Sequence, residues 1–268
     1  MSAAMPAILV QCPLNGGRTR DEHPAIPTTP QELAASAADA AAAGARSFHV
    51  HPRDSDGAES LRPEDVTACV QAVRDACPGI PVGTTTNVWG VEHGPERLEL
   101  VRAWEHATLP DFCSVNLEEV DAIDLMELLL GRNVGIEAGL WQRADAERLL
   151  GSGLAESCLR VLVEPITEDP EEALRQVGGI EDALGDLPVP QLHHGDGPAT
   201  WAVIERALPE GRHIRIGLED TLTLPDGRTA GDNADLVAAA FALLALPAPV
   251  AAARRRRRAR RPGPGARP

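Results

Sequence analysis

Eight short apolar or β-branched runs alternate with amphipathic segments along this chain, and this alternation limits the fold more than any other feature. The candidate strands are residues 7–10, 47–51, 80–85, 112–116, 134–137, 159–163, 189–192 and 213–217. Eight strand–helix repeats in about 250 residues match the size of a closed (β/α)8 barrel. We therefore predict an α/β protein with a TIM-barrel fold. The seventh strand is the weakest of the eight, because Pro190 removes a hydrogen-bond donor.

The helix boundaries support this interpretation. Thr29 precedes Pro30, and Glu32 stands where a capping box requires an acid. Gly44 follows as a C-terminal glycine, so the pattern predicts a helix between them. A second start of the same kind is expected at residues 62–65.

Charge divides the chain into two parts. The net charge is −15, but residues 254–268 contain eight arginines and no acids, which leaves −23 for the rest. We predict one catalytic barrel domain over residues 1–250 and a disordered Arg-rich tail over residues 251–268. The uncharged stretch 236–253 is interrupted by Pro247 and Pro249 and begins inside the eighth barrel helix, so we expect no membrane span.

The cysteines and the N-terminus favour a cytoplasmic protein. The five cysteines contain no C-x-x-C pair, so they indicate neither a disulfide framework nor export. The first residues lack the pattern of a secretory signal. The chain also has no lysine, which excludes a Schiff-base mechanism.

The clearest chemical signal is the pair His49 and His51 at the end of the second predicted strand. The two-residue period of a strand turns both imidazoles to one side, which is half of a metal site. Glu219 and Asp220 follow the eighth predicted strand, and either could supply the third ligand. In a closed barrel strands two and eight both neighbour strand one, so these groups are expected to converge. Arg215 precedes them on the same strand.

Several of these segments together resemble the β-keto acid cleavage enzymes, whose type member is 3-keto-5-aminohexanoate cleavage enzyme. The resemblance spans roughly residues 7–240 and is carried by residues 14–20 (LNGGRTR), 44–53 (GARSFHVHPR), 114–117 (SVNL), 135–140 (GIEAGL) and 215–221 (RIGLEDT). The H-x-H-x-R and R-x-G-L-E-D motifs are specific in combination, and either alone would be weak.

The resemblance implies a divalent metal, usually Zn²⁺, held by His49, His51 and Glu219. It implies that Asp220, oriented by Arg215, removes the proton between the ketone and the carboxylate of a β-keto acid. The carbanion then attacks acetyl-CoA, a cosubstrate, and a retro-Claisen step releases acetoacetate and a new acyl-CoA. A homo-oligomer, commonly a tetramer, is also implied.

Further positions follow from the same resemblance. Thr85, next to Asn87, is expected to bind the substrate carboxylate, and Glu137 matches a pocket acid at the end of strand five that could equally pair with a neighbouring arginine. Arg18 stands where the type member recognises its substrate's amine with an acid, and Glu119 stands where that member has a hydroxyl. Because an arginine disfavours an ammonium group, we predict a substrate that is neutral or anionic at its distal end.

Other interpretations remain open. Either His193 or His194, after strand seven, could face the pocket or cap a loop. Arg160 and Glu164 flank strand six, where we expect a structural ion pair. A metal-dependent hydrolase of the amidohydrolase type also uses H-x-H in a barrel, but after strand one and often with a lysine.

A third class is a noncatalytic protein that binds polyanions through its tail. Without aromatic platforms such a tail would bind nucleic acid only weakly and nonspecifically. We therefore expect no specific nucleic-acid partner.

Overall fold

A computed structural model describes residues 8–88 and 90–244. Eight parallel strands pair in chain order, and the eighth closes on the first. The α/β class and the (β/α)8 TIM barrel are confirmed. The strands are β1 (Val10–Pro13), β2 (Ser47–Val50), β3 (Val82–Thr84), β4 (Phe112–Asn116), β5 (Gly135–Leu140), β6 (Arg160–Val163), β7 (Gln191–His193) and β8 (His213–Arg215).

A helix follows each strand and packs on the outside of the barrel. The first begins with the capping box of Thr29 and Glu32 and ends at Gly44, as predicted. The second has Pro63 at its first position but no side-chain cap. The helices are α1 (Pro30–Ala43), α2 (Pro63–Ala76), α3 (Pro95–Arg102), α4 (Ala122–Leu130), α5 (Arg143–Ser152), α6 (Pro170–Leu184), α7 (Thr200–Ala207) and α8 (Asn233–Leu244).

Strand boundaries differ from the sequence prediction at several positions. Strand β3 is shorter, at residues 82–84 and not 80–85, and β7 is shifted to residues 191–193 from 189–192. The first strand is residues 10–13 and not 7–10, because its register is set by pairing with β2 and β8. The fifth continues to Leu140, so the prediction that Glu137 lies at its end is wrong. The eighth ends at Arg215, where the chain enters a turn. Apolar pattern locates a strand, but neighbouring strands determine where pairing stops.

A layer of polar side chains crosses the interior of the barrel. The Glu137 carboxylate accepts from Arg160 Nε at 2.5 Å and from Gln11 Nε2 at 2.7 Å. The Arg160 guanidinium also lies 5.0 Å from the centre of the Phe112 ring. The Glu137 carboxylate and the Arg160 guanidinium neutralise each other inside the barrel, so this polar layer stabilises the packing of the strands.

Residues 245–268 lie outside the described part of the chain, so the predicted Arg-rich tail, and the end of the predicted 1–250 domain, stay predictions. Over residues 8–88 and 90–244 no helix combines the length and the apolar character that a bilayer crossing requires. The five cysteines are buried and unpaired.

The closure between β1 and β8 depends on a glycine. A Cβ atom at Gly217 would lie 2.0 Å from the carbonyl oxygen of Pro13. The missing side chain therefore allows close contact between the two backbones.

We predict that Gly217→Ala lowers the free energy of unfolding by about 2–4 kcal/mol, because the backbone of the barrel seam must move. The matched control is Gly178→Ala in α6, where an added Cβ meets no atom within 4 Å. That change should stabilise the protein by roughly 0.5–1 kcal/mol. Urea unfolding measures both, and equal effects would contradict the prediction.

Candidate active site

A cavity of about 190 Å³ opens at the carboxyl ends of the strands, the usual position of the active site in this fold. It collects side chains from the carboxyl ends of β2, β4 and β8 and from the loops that follow β2, β3 and β5 to β8. Its lining is His49, His51, Thr85, Asn87, Ser114, Asn116, Trp141, Glu164, Pro165, Ile166, His194, Gly195, Asp196, Arg215, Glu219 and Asp220.

The two imidazoles of the H-x-H motif meet one carboxylate in this cavity. His49 Nε2 lies 3.7 Å from Glu219 Oε2, and His51 Nε2 lies 3.5 Å from Glu219 Oε1. One ligand atom from each residue can be chosen so that all three lie within 4.8 Å of one another. Ligands of one Zn²⁺ ion at about 2.0–2.2 Å are separated by about 3–3.5 Å. The two histidine–Glu219 distances lie close to that range, whereas the 4.8 Å limit for the three atoms exceeds it. The convergence expected from the sequence is present.

His51 is held by contacts that turn its Nε2 toward Glu219. Its Nδ1 lies 2.5 Å from the Glu59 carboxylate. Asn15 donates to the His51 carbonyl and accepts from its amide, at 2.8 and 2.9 Å. Burial alone lowers the pKa of His51, but Glu219 and Glu59 raise it to about 9. Burial lowers the pKa of His49 well below its usual value.

Glu219 and Asp220 share one guanidinium. Arg215 Nη2 donates to Glu219 Oε1 at 2.5 Å and to Asp220 Oδ1 at 2.8 Å. The sequence placed residues 213–217 on a strand, but a turn after Arg215 brings both carboxylates back over it; the Asp220 amide donates to Gly217 at 2.9 Å. Gly16, at φ +57°, packs against the Glu219 side chain where a Cβ would collide. The absence of a side chain at Gly16 thus permits this close approach to Glu219.

The environments of the two acids drive their proton affinities apart. Burial raises the pKa of Glu219, but Arg215 and the two histidines outweigh it and hold that pKa well below the usual value. Burial raises the pKa of Asp220, and Arg215 and His194 only partly oppose this. Neighbouring carboxyl groups separated in this way can take different roles, one as a permanent anion and one as a base.

The other residues selected from the sequence divide into two groups. Thr85 and Asn87 line the cavity, and the Thr85 hydroxyl bonds the Asn87 backbone at 2.9 and 3.0 Å. Glu137 does not line it, because its carboxylate lies in the ion pair with Arg160 inside the barrel. The structural alternative considered for Glu137, an ion pair with a neighbouring arginine, is the arrangement observed.

Glu119 and Arg18 lie near the cavity without lining it. The Glu119 carboxylate pairs with the buried Arg97 at 2.6 Å and accepts from Asn116 at 2.9 Å, so it reaches the cavity through Asn116. Arg18 donates to the Glu219 carbonyl at 3.0 Å, and its Nη2 lies 4.0 Å from the rim residue Asp196. Their contacts with substrate stay predictions.

Trp141, Glu164 and Glu59 lie at or near the cavity but were not among the predicted site residues, and His194, left open between pocket and loop in the sequence, lines the cavity. Glu164 pairs with His194 and not with Arg160, so the expected pair across β6 is wrong. Trp141 donates to Glu164 at 3.3 Å. Trp141, Glu164 and His194 lie directly after β5, β6 and β7, and this position in a barrel is the sequence signal that points to them. Glu59 follows a tight 54–57 turn (DSDG) that leads the chain back to His51.

Comparison with known proteins identifies the family of the chain. Residues 7–158 and 191–259 match the family described as beta-keto acid cleavage enzyme. The chain belongs to the β-keto acid cleavage enzyme family. Its members cleave carbon–carbon bonds of β-keto acids, so the resemblance noted in the sequence is confirmed.

Individual relatives are distant but cover most of the chain. A 3-keto-5-aminohexanoate cleavage enzyme of Fusobacterium nucleatum is 25% identical over 247 residues, 87% of this chain and 89% of that protein. A 3-dehydrocarnitine:acetyl-CoA trimethylamine transferase of Rhizobium meliloti is 24% identical over 277 residues, 88% and 90% of the two chains.

Among solved structures, a ternary complex of ObcA with a C4-CoA adduct and oxalate superposes with a TM-score of 0.65 at 19% identity. The match covers 82% of this chain and 64% of ObcA, so the present chain spans less than two thirds of that protein. This similarity confirms the barrel fold.

We predict a loss of stability in acid that depends on His193, which points away from the cavity and lies 3.1 Å from Gln191 Oε1. Burial, with Arg212 and Arg206 nearby, lowers the pKa of His193 to about 3. An unfolded histidine has a pKa near 6.5. As pH falls from about 6.5 toward 3, only the unfolded chain gains this proton, so stability falls by about 1.4 kcal/mol per pH unit.

The measurement is urea unfolding between pH 7 and pH 4. His193→Asn should reduce the fall in the free energy of unfolding with decreasing pH. The same change at the exposed His106 should leave this pH dependence as in the wild type. An unchanged slope in His193→Asn would show that His193 is not the group responsible.

Proposed function

We propose that this protein is a metal-dependent β-keto acid cleavage enzyme that condenses a β-keto acid with acetyl-CoA. The CoA displaced from the acetyl thioester then attacks the ketone carbonyl of the condensed product, and this retro-Claisen step breaks the carbon–carbon bond to release acetoacetate and a new acyl-CoA. The observation that carries the proposal is the convergence of His49, His51 and Glu219 beside Asp220 in one cavity. Enolate formation needs a cation at the carbonyl and a base at the adjacent carbon, and this cavity offers a place for both.

The donor set suits a divalent transition metal. Two imidazoles and one carboxylate are ligands that Zn²⁺ accepts while leaving a position open. Buried Glu219 Oε2 has no hydrogen-bond partner among the described residues, as expected of an atom that bonds an ion. When bound, the metal supplies Lewis acidity that polarises a substrate carbonyl.

Asp220 is the proposed base. Its Oδ1 is held by Arg215 Nε and Nη2 at 3.1 and 2.8 Å, whereas buried Oδ2 has no partner among the described residues. Oδ2 is therefore the atom to take the proton between the ketone and the carboxylate. The raised pKa of Asp220 makes it the better base of the two neighbouring acids.

Thr85 and Asn87 are proposed to bind the substrate carboxylate from the β3 side of the cavity. For the distal end we propose a neutral or anionic group, since Arg18 lies at the rim. A short neutral group fits best, because the cavity is small and Trp141, Pro165 and Ile166 form one wall. A homo-oligomer in the cytoplasm, with the tetramer suggested by the family resemblance, completes the proposal.

We predict that the purified, zinc-loaded protein converts a short β-keto acid only when acetyl-CoA is present. A panel of neutral, acidic and amino β-keto acids should be incubated with and without the thioester, and each new acyl-CoA followed by mass. Turnover without acetyl-CoA would indicate a hydrolase. Faster turnover of the amino substrate than of neutral or acidic ones would contradict the proposed distal end.

We also predict that Glu59→Gln weakens zinc binding by about 10- to 100-fold, because the carboxylate that orients His51 is lost. Chelator competition measures the affinity directly and needs no turnover. The matched control is Glu99→Gln, an exposed acid on α3 that pairs with Arg102. Equal zinc affinities in the two variants would show that Glu59 does not support metal binding.

A further inference from the structure

One half of the cavity has no part in the mechanism described so far. Its centre is His194, a buried imidazole directly after β7. His194 Nε2 lies 2.8 Å from Glu164 Oε2, and its Nδ1 lies 3.4 Å from Asp220 Oδ1. The His194 imidazole therefore lies between the Glu164 carboxylate and Asp220, the proposed base.

Two neighbouring residues accommodate the Glu164 carboxylate, Trp141 by a hydrogen bond and Gly139 by its lack of a side chain. Trp141 Nε1 donates to Oε1 at 3.3 Å. Gly139, below it on β5, has no side chain, and a Cβ there would lie 2.2 Å from Glu164 Oε1 and 2.5 Å from Asn116 Oδ1. The strand thus makes space for a charged group within the barrel mouth, where a charge is costly unless it is paired.

The consequence of this arrangement falls on Asp220. Arg215 approaches Oδ1 from below and His194 approaches the same oxygen from the β7 side. Arg215 fixes Oδ1 by hydrogen bonds, and the His194 ring, whose Nδ1 makes no hydrogen bond, packs 3.4 Å from the same oxygen. Together these contacts limit rotation of the carboxylate about its Cβ–Cγ bond. Oδ2 is buried and has no hydrogen-bond partner among the described residues, although Asp220 itself lines the cavity.

We propose that the Glu164–His194 pair is a positioning unit for Asp220, which holds Oδ1 against Arg215 so that Oδ2 stays aimed at the substrate carbon. This inference rests on the proposed function, because it assigns the pair to the proton-removal step. Proton transfer requires hydrogen-bond reach and alignment, and small misplacements of a base cost rate without costing affinity.

The neighbouring His193 offers an internal comparison. Both imidazoles are buried, with 1% and 4% of the residue exposed, and they are adjacent in the chain. His193 turns outward to Gln191 and to Glu181 on α6, whereas His194 turns into the cavity. A purely structural role would make the two equivalent in kinetics.

The test compares His194→Asn, His194→Phe and Glu164→Gln with His193→Asn as the matched control. An asparagine amide can occupy the place of Nδ1 and keep a polar contact with Asp220, whereas phenylalanine loses both contacts. We measure kcat and KM for the β-keto acid, its enzyme-catalysed α-proton exchange in D2O without acetyl-CoA, and bound zinc. Circular dichroism and Tm establish that each variant is folded.

We expect His194→Phe to lower kcat and the exchange rate by about 100-fold with KM and zinc content near those of the wild type. His194→Asn and Glu164→Gln should lose about 10-fold, and His193→Asn should lose stability only. If one of the variants Glu164→Gln and His194→Phe does not fold, the other is compared with His193→Asn.

Two outcomes would overturn the inference, and they are distinguishable. An active wild type with folded His194 and Glu164 variants that exchange protons as fast as His193→Asn would overturn the positioning role alone. A zinc-loaded wild type that neither exchanges the α-proton nor turns over any β-keto acid would overturn the proposed function, and this inference with it.

Discussion

The Arg215 guanidinium is the group on which the cavity depends. It is buried and contacts Glu219 and Asp220, two consecutive acids that would otherwise repel each other in a region poor in solvent. Removing one partner from such a cluster leaves charge uncompensated and is strongly destabilising. The same contacts separate the proton affinities of the two acids, so the interaction that permits their burial also gives them different chemistry.

A planar guanidinium set between acids recurs in this protein. Arg97 is fully buried between Glu119 and Asp121 behind the β4 loop. Arg160 holds Glu137 in the barrel interior. Because arginine presents several donors in a fixed plane, it can satisfy two acceptors at once where a lysine would act as a point charge. A chain without lysine uses this geometry both below the cavity and within it.

Sequence reasoning succeeded where local period and chain order determine geometry. His49 and His51 share a side because a strand alternates, and Glu219 reaches them because an eight-stranded parallel barrel brings its last strand beside its first. It failed for Glu137, because the length of β5 depends on pairing with β4 and β6. It also paired Glu164 with Arg160, although the three residues between them place Arg160 at the start of β6 and Glu164 just after its end.

The sequence alone determined the repeat number, the helix caps around α1 and the two motifs that mark the family, since each is written in local spacing and composition. Tertiary structure alone decided which buried charges became partners. Glu59 turns toward His51, Glu164 toward His194, and Glu119 toward Arg97. Such pairings depend on loop conformation and on the space left by residues such as Gly139, and distance in the chain carries no information about either.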